Sequence, residues 1–286
     1  MATQFFGQFL LARGLLSRAQ LLDAVEYQER QNLRLGDYAV KKGFITPADA
    51  ARIHTAQTTR DIQFGEAAVE LGFLARDQLK ELLRAQQADH LYLGDCLTRL
   101  GVLSAEAVTK ALAEYREDQR GQEGDVLRIP DDFPEVAFAS EACELTRKML
   151  LRLWGTPTKY GAATSGVAEL KLPGTAASVD VRGDVVCRYI IGIPDELTLH
   201  AMRRLFGTVD TQSREDRIDL VSELANIVMG NLAGTFASMG QTIELSAPKL
   251  APAQLRLEGE KALVLRLIAP LNELAIAITY ASGFRV

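Results

Sequence analysis

Read as a helix of 3.6 residues per turn, the stretch from Asp219 to Phe236, DLVSELANIVMGNLAGTF, places Asp219, Glu223, Asn226, Gly230 and Gly234 on one narrow stripe. Leu220, Leu224, Ile227, Val228 and Leu232 fall on the other side. A carboxylate brings charge, and a carboxamide brings both a donor and an acceptor. Here they point the same way and are followed along the stripe by two positions without side chains.

The other residue types that do chemistry fall into weaker patterns. Cys96, Cys143 and Cys187 are odd in number, far apart and without a CxxC or CxxH neighbour, which argues against a disulfide framework and against a zinc site. His54, His90 and His200 show no HExxH or paired-ligand spacing and read as structural or surface histidines. Arg182-Gly183-Asp184 reads as turn chemistry. Trp154 closes an apolar helix and reads as core.

The elements that must hold the stripe come from a chain of 286 residues, a comfortable length for two domains. A hydrophobic fraction of 48% and a charged fraction of 24% give ample core material and no case for wholesale disorder. The net charge of −5, with no Lys/Arg block, leaves no electrostatic footprint for nucleic acid. The N-terminus lacks the parts of a signal peptide, and the longest uncharged run, Leu224 to Ile243, carries Asn226, Asn231 and Gln241, so no membrane partner is expected. A reducing cytoplasm is the expected location.

A repeat occupies the first part of the chain. Gly7, Gly36, Gly65 and Gly94 recur at equal steps of 29 residues, as do Gly14, Gly43, Gly72 and Gly101. In each copy a short helix ends at the second glycine, an apolar pair follows, and Ser17, Thr46 or Ser104 caps a longer helix, with Ala75 breaking the pattern. The longer helix closes on Gln28, Gln57, Gln86 or, in the fourth copy, Tyr115. Helix pairs of this kind bury their apolar sides only by packing on other copies. The expected organisation is therefore an all-α repeat domain over residues 1–118, a linker over 119–130 signalled by the polar stretch EYREDQRGQEGD from Glu114 to Asp125, and a second domain over 131–286.

Residues 5 to 115, with their "LG" starts, the glycine seven residues on and the terminal glutamine, resemble the N-terminal domain of type II secretion and type IV pilus ATPases (GspE N-terminal or MshEN type). Some members bind cyclic di-GMP through tandem copies that begin "RLG". Only Arg34-Leu35-Gly36 matches that start, while Phe5, Gln63 and Tyr92 replace the arginine elsewhere. The resemblance thus leaves cyclic di-GMP open through Arg34, Leu35 and Gly36, but the expected role is a helical interaction module.

From Asp125 the texture changes to an α+β pattern. A hairpin is expected with its turn at Gly183-Asp184, with two more strands meeting near Asn272 and helices over Glu141 to Trp154, Pro194 to Leu205 and Arg217 to Met239. The spacing of Asp219, Glu223, Asn226 and Gly230, with Pro248 in ELSAPKL, resembles the signature of the CheC/CheX/FliY family, phosphatases of phosphorylated chemotaxis response regulators. The likeness runs over roughly residues 130 to 286. It implies that Asn226 orients the attacking water, that Glu223 pairs with the lysine of a CheY-like receiver domain, and that Mg2+ is held by the receiver, with no cofactor on this chain. Asp219 either accepts a hydrogen bond or sits in the helix's first turn. Gly230 and Gly234 either admit a partner's backbone or pack closely inside their own domain. The helix reading SEACELTRKML has Arg147 where an asparagine is needed after Glu144, so one site is expected, as in CheX; homodimers through the C-terminal domain are a further implication. The alternative is a docking protein that ties a response regulator to a secretion, pilus or motility apparatus without catalysis.

Overall fold

The computed structural model describes residues 4–60, 62–120, 125–130, 133–166, 169–206, 213–256 and 260–281. By contact density the chain divides into two compact units, one holding Leu10–Glu114, the other the residues up to Phe9 together with those from Tyr115 onward.

The helical part runs α1 (Phe6–Ala12), α2 (Arg18–Gln31), α3 (Leu35–Lys41), α4 (Pro47–Arg60), α5 (Phe64–Glu70), α6 (Arg76–Ala88), α7 (Leu93–Arg99) and α8 (Ala105–Arg120). The two glycines of each copy do different work. Gly72 and its equivalents hold φ between 66° and 77° just past a short helix, the left-handed position where a side chain strains the backbone. The other series is set by space. A Cβ on Gly36 would stand 2.9 Å from the ring of Phe64, one on Gly65 2.8 Å from Leu79, and one on Gly94 2.7 Å from Val108. Ser17, Thr46 and Ser104 accept from backbone N–H groups at the start of α2, α4 and α8, and at Ala75 the Gln78 side chain still takes the N–H of Ala75 at 2.8 Å.

The terminal glutamines explain how copies choose partners. Gln28 donates to the Leu91 carbonyl at 2.9 Å, Gln86 to that of Leu33 at 2.8 Å, and Tyr115 to that of Gln4 at 2.8 Å. Each acceptor lies three residues before the first glycine of its copy. The first copy therefore pairs with the fourth, and the second with the third around Tyr38, Ile45, Ile53, Leu74 and Leu82.

The expected linker is shorter than its composition suggests. Helix α8 continues to Arg120, with Arg120 paired to Glu117 at 2.9 Å, so those charges form a solvated helix face. Residues 121–124 lie outside the described residues. Asp125 already belongs to the α+β unit: its carboxylate accepts from the Tyr160 N–H at 2.7 Å and from Arg147 at 2.5 Å, while Leu127 and Ile129 pack on the core.

That unit runs α9 (Val136–Met149) and a π-helical turn (Leu150–Trp154), then β1 (Lys159–Ser165), β2 (Glu169–Lys171), β3 (Thr175–Gly183), β4 (Cys187–Ile193), α10 (Asp195–Phe206), α11 (Arg214–Ser238), β5 (Ile243–Leu245), β6 (Lys249–Leu250), β7 (Gln254–Arg256), β8 (Glu260–Ile268) and β9 (Glu273–Ala281). The antiparallel sheet has the order β1-β8-β9-β4-β3-β5, with β6 also on β3 and a separate β2–β7 ribbon. This order maps onto itself when β1 exchanges with β5, β8 with β3 and β9 with β4, so the unit is two similar halves, one led by α9 and the other by α11. Both helices cover one sheet face through a core that includes Phe138, Leu145, Val179, Tyr189, Leu224, Val228 and Ile276. Leu170, Leu172, Ala176, Ile190 and Val264 are buried together on the other face.

Two helix starts differ from expectation. Helix α9 begins at Val136 rather than Glu141. Helix α11 begins at Arg214 rather than Arg217, because Ser213 and Asp216 form a capping box with reciprocal 3.0 Å bonds. Asp219 is thus past the first turn, which removes the simplest reason for an acid there.

Burial governs the thiols: desolvation pushes Cys143 and Cys187 up to about 12. Since the thiolate is the reactive form, iodoacetamide at about pH 8 should label neither cysteine in the folded protein and both after unfolding in urea; mass spectrometry of the two samples checks this.

Candidate functional site

Helix α11 is two-sided. Val221, Leu224, Ala225, Val228, Met229, Leu232 and Phe236 are buried against the sheet and α9, while Asp219, Glu223, Asn226, Gly230 and Gly234 are all exposed on the opposite side. By length and composition α11 is the one helix among the described residues able to cross a membrane, but those seven residues are spent on the protein core.

The polar groups of the stripe are uncommitted. Among the described residues, neither the Glu223 carboxylate nor the Asn226 carboxamide has a hydrogen-bond or ion-pair partner. Neighbouring polar side chains behave differently: Asn231 donates to the Ile227 carbonyl at 2.8 Å and Thr235 to that of Asn231 at 3.2 Å, the usual local use of such groups on a helix. Of the two readings of the glycines given above, close packing inside the domain does not hold. A Cβ on Gly230 or Gly234 would meet nothing within 4 Å, so neither packs inside its own domain. Each stands in open space, one and two turns beyond Asn226.

Pro248 is half-buried in the connection between β5 and β6. Asp180 anchors this connection: its carboxylate accepts from Lys249 at 3.0 Å, its N–H donates to the Ser246 hydroxyl at 3.0 Å, and its carbonyl accepts from the Ser246 N–H at 2.9 Å. Arg188, at 2.7 Å, and Lys249 hold the Asp180 carboxyl below its ordinary range. Among the described residues no hydrogen bond joins the connection to the stripe; Asp219, Glu223, Asn226 and Gly230 share one exposed face of α11, and Pro248 lies between two strands, β5 and β6, that both pack against α11.

The matching stripe of α9 is closed. Its buried positions Ala142, Leu145, Thr146, Met149 and Leu150 correspond in order to Val221, Leu224, Ala225, Val228 and Met229 of α11, which sets Glu144 opposite Glu223, Arg147 opposite Asn226 and Leu151 opposite Gly230. Arg147 is turned into its own unit: Nη2 bonds Asp125 and, at 2.7 Å, the Thr158 carbonyl, and its guanidinium lies 4.1 Å from the centre of the Tyr160 ring. Glu144 pairs with Lys148 at 3.1 Å, and Leu151 fills the place that Gly230 leaves open. Asp125 escapes sequence reading, because a polar, glycine-containing stretch gives no sign that one of its acids is a clamp.

In the helical part, Arg34 is the exposed N-cap of α3, but Leu35 and Gly36 are used in packing, Leu35 toward Gly65 and Gly36 beneath Phe64. No group of three or more His, Cys, Asp or Glu side chains suited to a metal is found among the described residues.

Residues 175–261 match the family model described as chemotaxis phosphatase CheX. This stretch of the chain is CheX-like. It contains α11 with its whole stripe and Pro248, but neither α9 nor the helical repeats. Among solved structures, the chain is similar to a CheX from Desulfovibrio desulfuricans, with 15% identity, 50% of this chain and 98% of that one covered, and a TM-score of 0.44. It is also similar to CheX from Vibrio vulnificus (16%, 50% and 97%, 0.44) and to CheX in a complex with CheY, BeF3 and Mg from Borrelia burgdorferi (22%, 51% and 96%, 0.38). No curated protein matches the chain.

The CheX-like helix carries two glycines in its interior that its own fold does not require. Glycine costs about 1 kcal/mol relative to alanine in a helix interior. Gly230→Ala and Gly234→Ala should therefore each raise the unfolding free energy by about 0.5 to 1 kcal/mol, measured by urea titration of each variant beside the parent.

Proposed function

We propose that the CheX-like unit is a phosphatase of the aspartyl phosphate on a CheY-like response-regulator receiver domain. The observation that carries this reading is the pair Glu223 and Asn226, exposed on one helix face and without a partner among the described residues, beside two open glycine positions and inside the stretch that matches the CheX family model. In this reaction a water oxygen attacks phosphorus in line, the bond between phosphorus and the aspartyl oxygen breaks, and the products are inorganic phosphate and the free carboxylate. Magnesium, carried by the receiver, would neutralise the phosphoryl oxygens. This chain's contribution is then positional: the Asn226 carboxamide accepts from the water and orients it, and Glu223 pairs with the receiver's lysine to hold α11 in register. Gly230 and Gly234 let the partner's backbone lie against the helix.

The helical repeats serve in this reading as an interaction or regulatory module, and the setting is cytoplasmic. A homodimer through the C-terminal sheet remains part of the proposal, with analytical ultracentrifugation as its test.

Asn226→Ala should abolish the acceleration of receiver dephosphorylation while leaving receiver binding and folding intact. Glu223→Ala should weaken both binding and rate, because a carboxylate that pairs with lysine also holds the complex together. The assay is phosphate release from receivers phosphorylated with acetyl phosphate, with and without the full chain. If the wild type binds a receiver but accelerates none, the chain is a docking protein.

A separate expectation concerns cyclic di-GMP. One matched guanidinium for two phosphates, with Leu35 and Gly36 already packed, should lower affinity by about ten- to a hundredfold relative to a paired site. Isothermal titration of the full chain should show no submicromolar binding. Submicromolar heat that disappears in Arg34→Ala would instead make this a nucleotide-controlled protein.

A further inference from the structure

A cavity lies at one end of the CheX-like unit, away from the stripe. Its walls are the start of β3 at Thr175 and Ala176, the start of α10 at Asp195, the first turns of α11 at Arg214, Arg217 and Ile218, and the connection from β6 to β7. Its volume is about 530 Å3. Clefts that hold small organic ligands measure about 300 to 1,000 Å3. On α11, Arg214, Arg217 and Ile218 stand on the side that continues into buried Val221, opposite Glu223 and Asn226. The cavity and the stripe therefore share a helix but not a face.

The space follows from the local sequence. Strand β6 pairs with β3 only through Lys249 and Leu250, followed by one bond from the Ala251 N–H to the Ala176 carbonyl at 2.9 Å. The chain then turns toward the β2–β7 ribbon, where the Ala253 carbonyl accepts from the Leu172 N–H at 2.8 Å. The residues left around the gap are small, among them Gly174, Ala176, Ala251 and Ala253, so nothing from this side fills it.

The lining carries both charge and apolar surface. Asp195, its one carboxylate among the described residues, accepts from the Thr175 hydroxyl at 2.8 Å and lies 3.7 Å from Arg217, whose side chain is 18% exposed. Arg214 is exposed and, among the described residues, has no hydrogen bond or ion pair. The guanidiniums thus outnumber the carboxylate, and the lining is left with a net positive charge. Ile218 and Leu250 supply the apolar wall, and Leu250 is 51% exposed, an unusual state for a leucine beside a cavity that it could help to fill.

We propose that this cavity binds a small organic anion, its acid group on Arg214 beside the Arg217–Asp195 pair and its apolar body against Ile218 and Leu250. A carboxylate and a phosphate monoester both supply such an acid group. The volume calls for the body: an inorganic ion would leave most of the cavity empty and Leu250 in water. The inference goes beyond the phosphatase reading and stands without it, because none of these residues belongs to the stripe.

The experiment is isothermal titration of the full chain with hexanoate and with hexyl phosphate, beside hexanol, which has the tail alone, and inorganic phosphate, which has the acid alone. At least one of the two acids should bind, about tenfold or more tightly than hexanol or inorganic phosphate, and the acid that binds identifies the group. Arg214→Ala should weaken that binding by about tenfold, the effect of removing a charged hydrogen-bond partner. Ala253→Phe, which puts a ring into the cavity and leaves both arginines in place, should abolish it. Both positions are exposed, so thermal unfolding without ligand should stay close to the parent. No binding of either acid at about 1 mM overturns the proposal. Hexanol or inorganic phosphate binding as tightly as the acids also overturns it, as does binding of an acid that is unchanged in both variants.

Discussion

The burial of one face of α11 against the sheet sets the direction of every other group on that helix. Leu224, Val228, Met229, Leu232 and Phe236 are among seven side chains withdrawn from water there. Each large apolar side chain so buried contributes about 1.5 to 3 kcal/mol, so turning the helix about its axis would cost far more than any exposed polar contact could return. With the buried face fixed, the 3.6-residue period leaves Glu223 and Asn226 a single direction, outward and together. No loop has to be ordered to aim them. Rigid placement of this kind is what a water-positioning amide requires, because misalignment by about 1 Å at a reacting centre is already costly.

The same constraint applies to the other half of the unit, with a different outcome. The sheet order is symmetric, and α9 buries the same pattern of positions as α11. The difference lies in what each helix presents outward. On α9 the guanidinium of Arg147 turns to Asp125, Thr158 and Tyr160, and Leu151 occupies the ground that glycine leaves free on α11. Two equivalent scaffolds have thus become a clamp that ties the entering chain to the domain and an open helix face. The core positions of the two helices remain alike because core volume and patterning constrain them, while the outward positions are free to diverge.

Much of this was legible in the sequence. The stripe on α11, the hairpin at Gly183-Asp184 and the strands meeting at Asn272 all follow from short-range periodicity and turn chemistry, which a linear sequence records directly. The 29-residue repeat likewise revealed the helix pairs. What it could not reveal was partner choice, since every copy offers similar apolar sides; the first copy pairs with the fourth through Gln28 and Tyr115, contacts between residues distant in sequence. Helix starts shifted by three to five residues where Ser213 or the backbone at Glu135 set the boundary. The first residues of the expected linker belong to α8, because a solvated helix face such as Glu117 to Arg120 and a true linker have the same composition.

The stripe also brings together, within a few turns, several departures from local rules. Elsewhere, glycines stand at left-handed turns or under neighbouring side chains, as Gly72 and Gly36 do, and polar groups such as those of Asn231, Asp180 and Ser213 find partners within their own unit. On α11, two interior glycines have neither justification, and beside them a carboxylate and a carboxamide have no partner among the described residues. Each departure lowers helix stability or leaves a bonding group unused, and each would be removed by a single substitution. Their coincidence on one face argues for selection by something outside the fold, because proteins deviate from local consistency chiefly where function requires it. A partner that fills the space above Gly230 and Gly234 and satisfies Glu223 and Asn226 would account for all four residues at once, whereas packing within the domain does not account for the two glycines.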